Sequence, residues 1–201
     1  MKLTEDRKYY VLSFIYINMK YFPKLIWDKI YLSPLNPDDA EILTKWCCDE
    51  RIVKNTTMLP HIPSLEWERN WLINGHSPYA MAIVKKDWDE FIGTIELWNV
   101  DFINQKAELW ISIWNVDEHG KWYWTDAIKT ILTFAFNTLN LYNVWLGVKS
   151  FNKKAIACYK KVWFNEIWIR HHCRYYDGEW YDDILMEILK PDFKIKNLSY
   201  D

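Results

Sequence analysis

The chain has 201 residues, 50% hydrophobic and 26% charged, with a formal net charge of -2. A chain of this length buries roughly 70% of its unfolded surface without disulfide or metal staples, and its composition excludes a disordered or collagen-like polymer. The slight acidity disfavours a general nucleic-acid or anionic-membrane binder, and no run of about 18 apolar residues is present to span a bilayer.

Two counts are abnormal. Glycine occurs 5 times, where the usual share is about 7%, and tryptophan 14 times. The cysteines are Cys47, Cys48, Cys158 and Cys173. They form no C-x-x-C pair and no secreted disulfide framework. The N-terminus makes a poor signal peptide, so a reduced, cytoplasmic protein is expected.

Residues 1–28 match the rest poorly and are expected to be an N-terminal extension of uncertain role, with 1–18 either an upstream extension before an alternative start at Met19 or an ordinary extra N-terminal strand or helix. From Lys29 the signals become regular. Residues 29–35 alternate like a strand. Asn36-Pro37-Asp38-Asp39 starts a helix, with an N-cap, Pro at N1 and acids in the first turn. Ala40, Leu43, Trp46 and Cys47 continue it to about Asp49. Ser64 caps a second helix carrying Trp67, Trp71 and Leu72. Residues 79–86 and 90–97 flank Asp87-Trp88-Asp89 at hairpin spacing, and a further strand covers about 107–113.

After the polar turn 115–121, Ala127, Ile128, Ile131, Leu132, Ala135, Phe136 and Leu139 give a helical stripe. Residues 144–149 read as a buried strand. Asn152 opens a helix with Ala155, Ile156 and Tyr159. Two last strands, about 164–175 and 180–189, flank Asp177-Gly178. The order predicts a single mixed α/β domain over 29–190, with about seven strands in one sheet, helices on both faces and a short tail at 191–201.

A strand that leads through a short turn into a helix presents free N–H groups and a positive dipole end, which suits phosphate. Here that turn is His119-Gly120-Lys121-Trp122-Tyr123-Trp124-Thr125. Alone it is a weak signal, because close backbone approach normally needs glycine.

Taken together, F-I-G-T-I-E-L, A-E-L-W-I-S-I-W, H-G-K-W-Y-W-T-D-A-I, S-F-N-K-K-A-I-A-C-Y-K-K-V-W-F and Y-Y-D-G-E-W-Y-D-D-I-L-M resemble the GNAT superfamily of N-acetyltransferases in order and spacing. Within it they resemble the group acting on ribosomal-protein N-termini and spermidine. The resemblance covers about 29–190. It implies that the strands at 107–113 and 144–149 splay apart to admit acetyl-CoA.

Backbone groups of Leu109, Ile111 and Ile113 would hold its arm, and His119, Gly120, Lys121, Trp122, Tyr123, Trp124 and Thr125 its pyrophosphate. His119 departs from the family's usual Gln or Arg. Asn152 would touch the pantetheine arm or an ordered water, and Lys154, in the Lys153-Lys154 pair, the 3′-phosphate. Tyr159 would be the general acid that protonates the leaving thiolate. Glu108 would deprotonate the amine through water.

The acceptor is expected to be a protein N-terminus or a polyamine. It would enter between the early helices and the last hairpin, near Asp49, Glu50, Glu66, Glu68, Tyr176 and Asp177. A monomer or homodimer is expected, with no nucleic-acid or membrane partner. His171-His172-Cys173 offers only two ligands on one strand face, so no metal is expected.

The resemblance also bears on composition. Tryptophan stands where the family has glycine at 122, 124 and 163, and Trp27, Trp88, Trp110, Trp114 and Trp168 look similar. Two accounts stand. If the tryptophans are real, the cofactor cleft is blocked and the chain is a non-catalytic binding protein of the same fold. If their codons are UGA, decoded as glycine in the source cell, one cause explains both counts and an enzyme is expected. An antibiotic- or amino-sugar-modifying acetyltransferase is a third possibility.

Overall fold

The computed structural model describes residues 19–115, 118 and 120–194. His119 and the first 18 residues of the expected extension lie outside the described residues. Strands β1 (Leu25–Ile26), β2 (Ile30–Pro34), β3 (Ala80–Lys85), β4 (Glu90–Asp101), β5 (Lys106–Ile113), β6 (Asn143–Lys149), β7 (Asn165–Tyr176) and β8 (Glu179–Leu189) form one sheet. Their order is β1-β2-β3-β4-β5-β6-β8-β7. Among the described residues, only the β5–β6 pair is parallel.

Among the described residues the sheet has eight strands rather than about seven. The extra strand is two residues long and too short to show alternation. Burial of Leu25 and the bond from the Lys24 N–H to the Leu32 carbonyl (2.8 Å) hold it. Tyr21 is also buried and donates to Asp39 (2.7 Å). The described part of 1–28 thus packs onto the domain.

Helices α1 (Ala40–Cys47), α2 (Glu50–Val53), α3 (Leu65–Asn74), α4 (Tyr123–Thr133) and α5 (Lys153–Lys161) complete the fold. The start at Asn36 is as expected, since its side chain accepts from the Asp38 N–H, but the first turn is 3-10 and the helix breaks before α2. Ser64 caps α3 through the Trp67 N–H, and Asn152 caps α5 through the Ala155 N–H.

The stripe of α4 is buried from Ala127 to Leu132. The chain then widens into a π turn at Phe134–Thr138. The main core joins α4, α5 and one sheet face. The opposite face carries two smaller clusters under α1–α3, one of them containing Trp114. Helices therefore cover both faces of the sheet.

Candidate active site

The β5–β6 ladder holds for three residue pairs, Lys106–Asn143, Ala107–Val144 and Glu108–Trp145, and then stops. Beyond Glu108, β5 still pairs with β4 as far as Ile113, so only its β6-facing edge is released. Leu109 and Ile113 bury their side chains in the main core, with Ile111 half-buried. Side chains are thus fixed while the backbone from Leu109 to Ser112 has left the β6 ladder, which presents edge amides and carbonyls along that stretch.

Helix α4 begins beside this split. Gly120 has φ +81°, and Trp122, its N-cap, has φ +71° and makes no side-chain cap. The N–H groups of Tyr123, Trp124 and Thr125 fall in the first turn, ahead of the first α-helical bond, Asp126 N–H to Trp122 carbonyl (3.0 Å). Their uncompensated partial charge suits an anion. Lys121 adds less than its charge suggests, because its ammonium lies 3.2 Å from the buried Glu118 carboxylate, which Lys85 also contacts. Lys85 sits over the Tyr123 ring.

Trp122 is exposed, with the Lys161 ammonium over its ring. Trp124 turns inward: its indole N–H is buried without a partner, and its ring meets Tyr159 edge-on at 6.1 Å. Thr125 is buried and lies 3.5 Å from the Cys158 sulfur, tying α4 to α5.

Tyr159 owes its position to the end of α5. The Trp163 N–H bonds the Lys160 carbonyl and the Phe164 N–H bonds the Tyr159 carbonyl, a Schellman closure. Its left-handed residue is Trp163, φ +68°, and its apolar clasp is the Tyr159–Phe164 ring pair at 5.7 Å. Burial pushes the Tyr159 phenol pKa well up. Asn152 opens the same helix, and Lys153 and Lys154 are exposed on its first turn.

Glu108 lies on the sheet face toward α1–α3. Burial raises its pKa, and hydrogen bonds from the Trp110 and Asn99 side chains partly oppose this. Cross-strand register sets Glu96 opposite Trp110 and Trp98 opposite Glu108. The four form a square of two carboxylates and two indoles on one face. The Glu96 pKa is raised too, by burial, against hydrogen bonds from Trp98 and the Ser77 N–H. Motif reading passed over Glu96. The one available signal was the period-2 alternation around Glu96 and Trp98.

Of the acidic residues expected near an acceptor, Glu50 and Tyr176 meet at 3.3 Å, joining α2 to the β7–β8 hairpin. Asp49 caps α2 and pairs with Arg51, while Glu66 and Asp177 are exposed. Glu68 is instead fully buried against Cys47, with one carboxylate oxygen unpartnered. His171 bonds Asp182 and the Cys173 thiol donates to the Arg170 carbonyl. The β7–β8 register shifts between Arg170 and Arg174 and His172 has φ +49°, so the expected strict alternation is lost there.

Of the eight tryptophans compared with family glycines, only Trp122 and Trp163 have positive φ. Trp114 fills a buried cluster and donates to Thr94 (3.0 Å). Trp88 is exposed in its turn, where Asp89 takes the positive φ instead.

The fold is a mixed α/β sheet split at one parallel seam, with an uncapped helix end beside the split. The Acetyltransferase (GNAT) domain family matches residues 29–165, and the chain belongs to this family. It is 31% identical over 104 residues to the spermidine N(1)-acetyltransferase of Escherichia coli K12, covering 52% of this chain and 55% of that protein. A putative ribosomal N-acetyltransferase of Bacillus subtilis is 31% identical over 103 residues, covering 51% of this chain and 55% of that protein. The matched stretch thus spans about half the length of these curated relatives. The crystal structure of spermidine N-acetyltransferase from Vibrio cholerae in complex with CoA and spermine superimposes with a TM-score of 0.72 at 23% identity, covering 82% of this chain and 97% of that one. Among the described residues no helix is long and apolar enough to cross a membrane.

Proposed function

We propose that the chain is an acetyl-CoA-dependent N-acetyltransferase acting on a primary or α-amine. The observation that carries this reading is the parting of β5 from β6 after Glu108, beside the uncapped start of α4. The β6-facing edge from Leu109 to Ser112 suits the amides of a pantetheine arm. The first-turn N–H groups of α4 suit a pyrophosphate. Lys154 is free to meet a further phosphate.

Acetyl-CoA supplies the thioester carbonyl and the thiolate that leaves. Transfer forms one C–N bond and breaks one C–S bond, while the amine loses a proton and the sulfur gains one. Glu108 takes the amine proton through water, and its raised pKa makes it a better base near neutral pH. Tyr159 gives the proton to sulfur, and burial keeps the phenol protonated until it is needed. Asn152 orients the arm or an ordered water.

A polyamine is the acceptor favoured here, supported by the names of the relatives and by the Glu96 and Glu108 carboxylates on the α1–α3 face. A protein N-terminus is the alternative acceptor. One observation favours a second reading, a non-catalytic binding protein: the Trp124 indole lies against Tyr159, where a thioester would need room.

Thiol release from acetyl-CoA, followed with spermidine, a peptide bearing a free N-terminus and an aminoglycoside, separates these readings. The expected result is release with spermidine, with Tyr159→Phe lowering kcat by about 10²–10⁴-fold at little changed acetyl-CoA affinity. Acetyl-CoA binding with no release for any amine would put the binding reading first. Full kcat in Tyr159→Phe would remove Tyr159 from the mechanism.

A further inference from the structure

Lys149, the last residue of β6, is engaged in a way the motif reading did not anticipate. Its ammonium donates to two backbone carbonyls, those of Lys54 (2.9 Å) and Thr56 (2.7 Å), just beyond α2. The nearby Asp183 carboxylate is taken by Arg174, which binds it at 2.7–3.0 Å. The Lys149 charge therefore has carbonyls and the face of Phe151 as its partners rather than a carboxylate.

The other end of the same segment packs into a cluster that reaches the end of β5. Ile52 is buried in the cluster that contains Trp114, which directly follows β5. Because β5 and β6 are parallel, Trp114 and Lys149 mark the two tips of the split that opens after Glu108. Residues 52–56 thus bond the β6 tip through Lys149 and share a buried cluster with the residue at the β5 tip. The bond from Tyr176 to Glu50 adds a tether from the last hairpin.

We infer that Lys149 is a positioning residue, a latch that holds the α2 segment across the open end of the β5–β6 split and so sets the entrance for the amine. The inference rests on the acetyltransferase reading for its kinetic consequence, but not for the latch itself. Two hydrogen bonds from an ammonium fix a short four-residue helix that has little stability of its own. Lys149→Met keeps the apolar stem beside Phe151 and removes every donor. Lys149→Arg keeps donors.

The test combines amide hydrogen exchange with steady-state kinetics on the full chain, using spermidine as acceptor. The Met variant is expected to exchange faster at residues 52–56, with rates elsewhere as in the wild type. Its acceptor KM should rise about tenfold while kcat and acetyl-CoA affinity hold. The Arg variant should recover most of both effects. Unchanged exchange at 52–56 in the Met variant overturns the latch. Faster exchange with an unchanged KM overturns its role at the entrance. If the wild-type chain acetylates no amine, the functional reading fails, and exchange alone still decides the latch.

Discussion

Trp122 and Trp163 hold backbone that costs a side-chain-bearing residue about 1–2 kcal/mol each, since their φ values are +71° and +68°. Trp122 is largely exposed, so little packing offsets that strain. Trp163 recovers part of it through its edge-on contact with Phe193. Trp114 is the contrasting case: its φ is not positive, its indole is buried, and its N–H is bonded. Trp122→Gly is therefore expected to raise unfolding free energy by about 1 kcal/mol, whereas Trp114→Gly lowers it by about 3–5 kcal/mol. Denaturant midpoints measure both, and a destabilised Trp122→Gly would contradict the strain argument. Codons bear on the same point: UGG at 122 and 163 would exclude decoding as glycine.

At the scale of elements, the sequence was most readable where periodicity is strong and partners are local. The stripe on α4, the caps at Asn36, Ser64 and Asn152, and the Asp177-Gly178 turn are where the pattern put them. Elements defined by distant partners were not readable. β1 exists because β2 pairs with it, and β4 runs on to Asp101 through a register shift that follows the positive φ of Asn99. The same division runs through the candidate site. The α4 loop, Asn152 and Tyr159 stand in contiguous motifs. Glu96 depends on the β4–β5 register, Glu118 on Lys85 and Lys121, and Lys149 on carbonyls more than ninety residues away in sequence. Glu68 shows the reverse failure. Its helix position suggested an exposed acid facing an acceptor, but packing of α3 on α1 buries it beside Cys47.

Across the whole molecule, Glu68, Glu96, Glu108 and Asp126 all have carboxyl pKa values raised first by burial. Each binds its proton more tightly when folded than when unfolded. Their contribution to stability is full below the unfolded carboxyl value, about 4, and is lost as pH rises through the folded values. Asp49, Asp101 and Asp182 shift the other way, through hydrogen bonds, but lie at the surface where solvent screens them. The buried Glu118, where burial is outweighed by Lys85 and Lys121, loses its contribution only as pH falls below the unfolded value. Stability should thus fall as pH rises from about 4 through those raised folded values. Glu68→Gln removes one of the buried titrations while keeping an oxygen to accept from Cys47. Its melting temperature is expected to exceed the wild-type value near pH 8, with the gap closing toward pH 4. A gap constant with pH would contradict this account.

The claim on which the rest depends is that the β5–β6 split and the start of α4 bind acetyl-CoA. Calorimetric titration of acetyl-CoA into two full-length chains tests it most directly: the chain as given, and one with glycine at 122, 124 and 163. The account predicts saturable one-to-one binding by the glycine-bearing chain, and weaker binding by the given chain, whose Trp122 and Trp124 crowd the loop. A folded glycine-bearing chain that takes up no acetyl-CoA would contradict it.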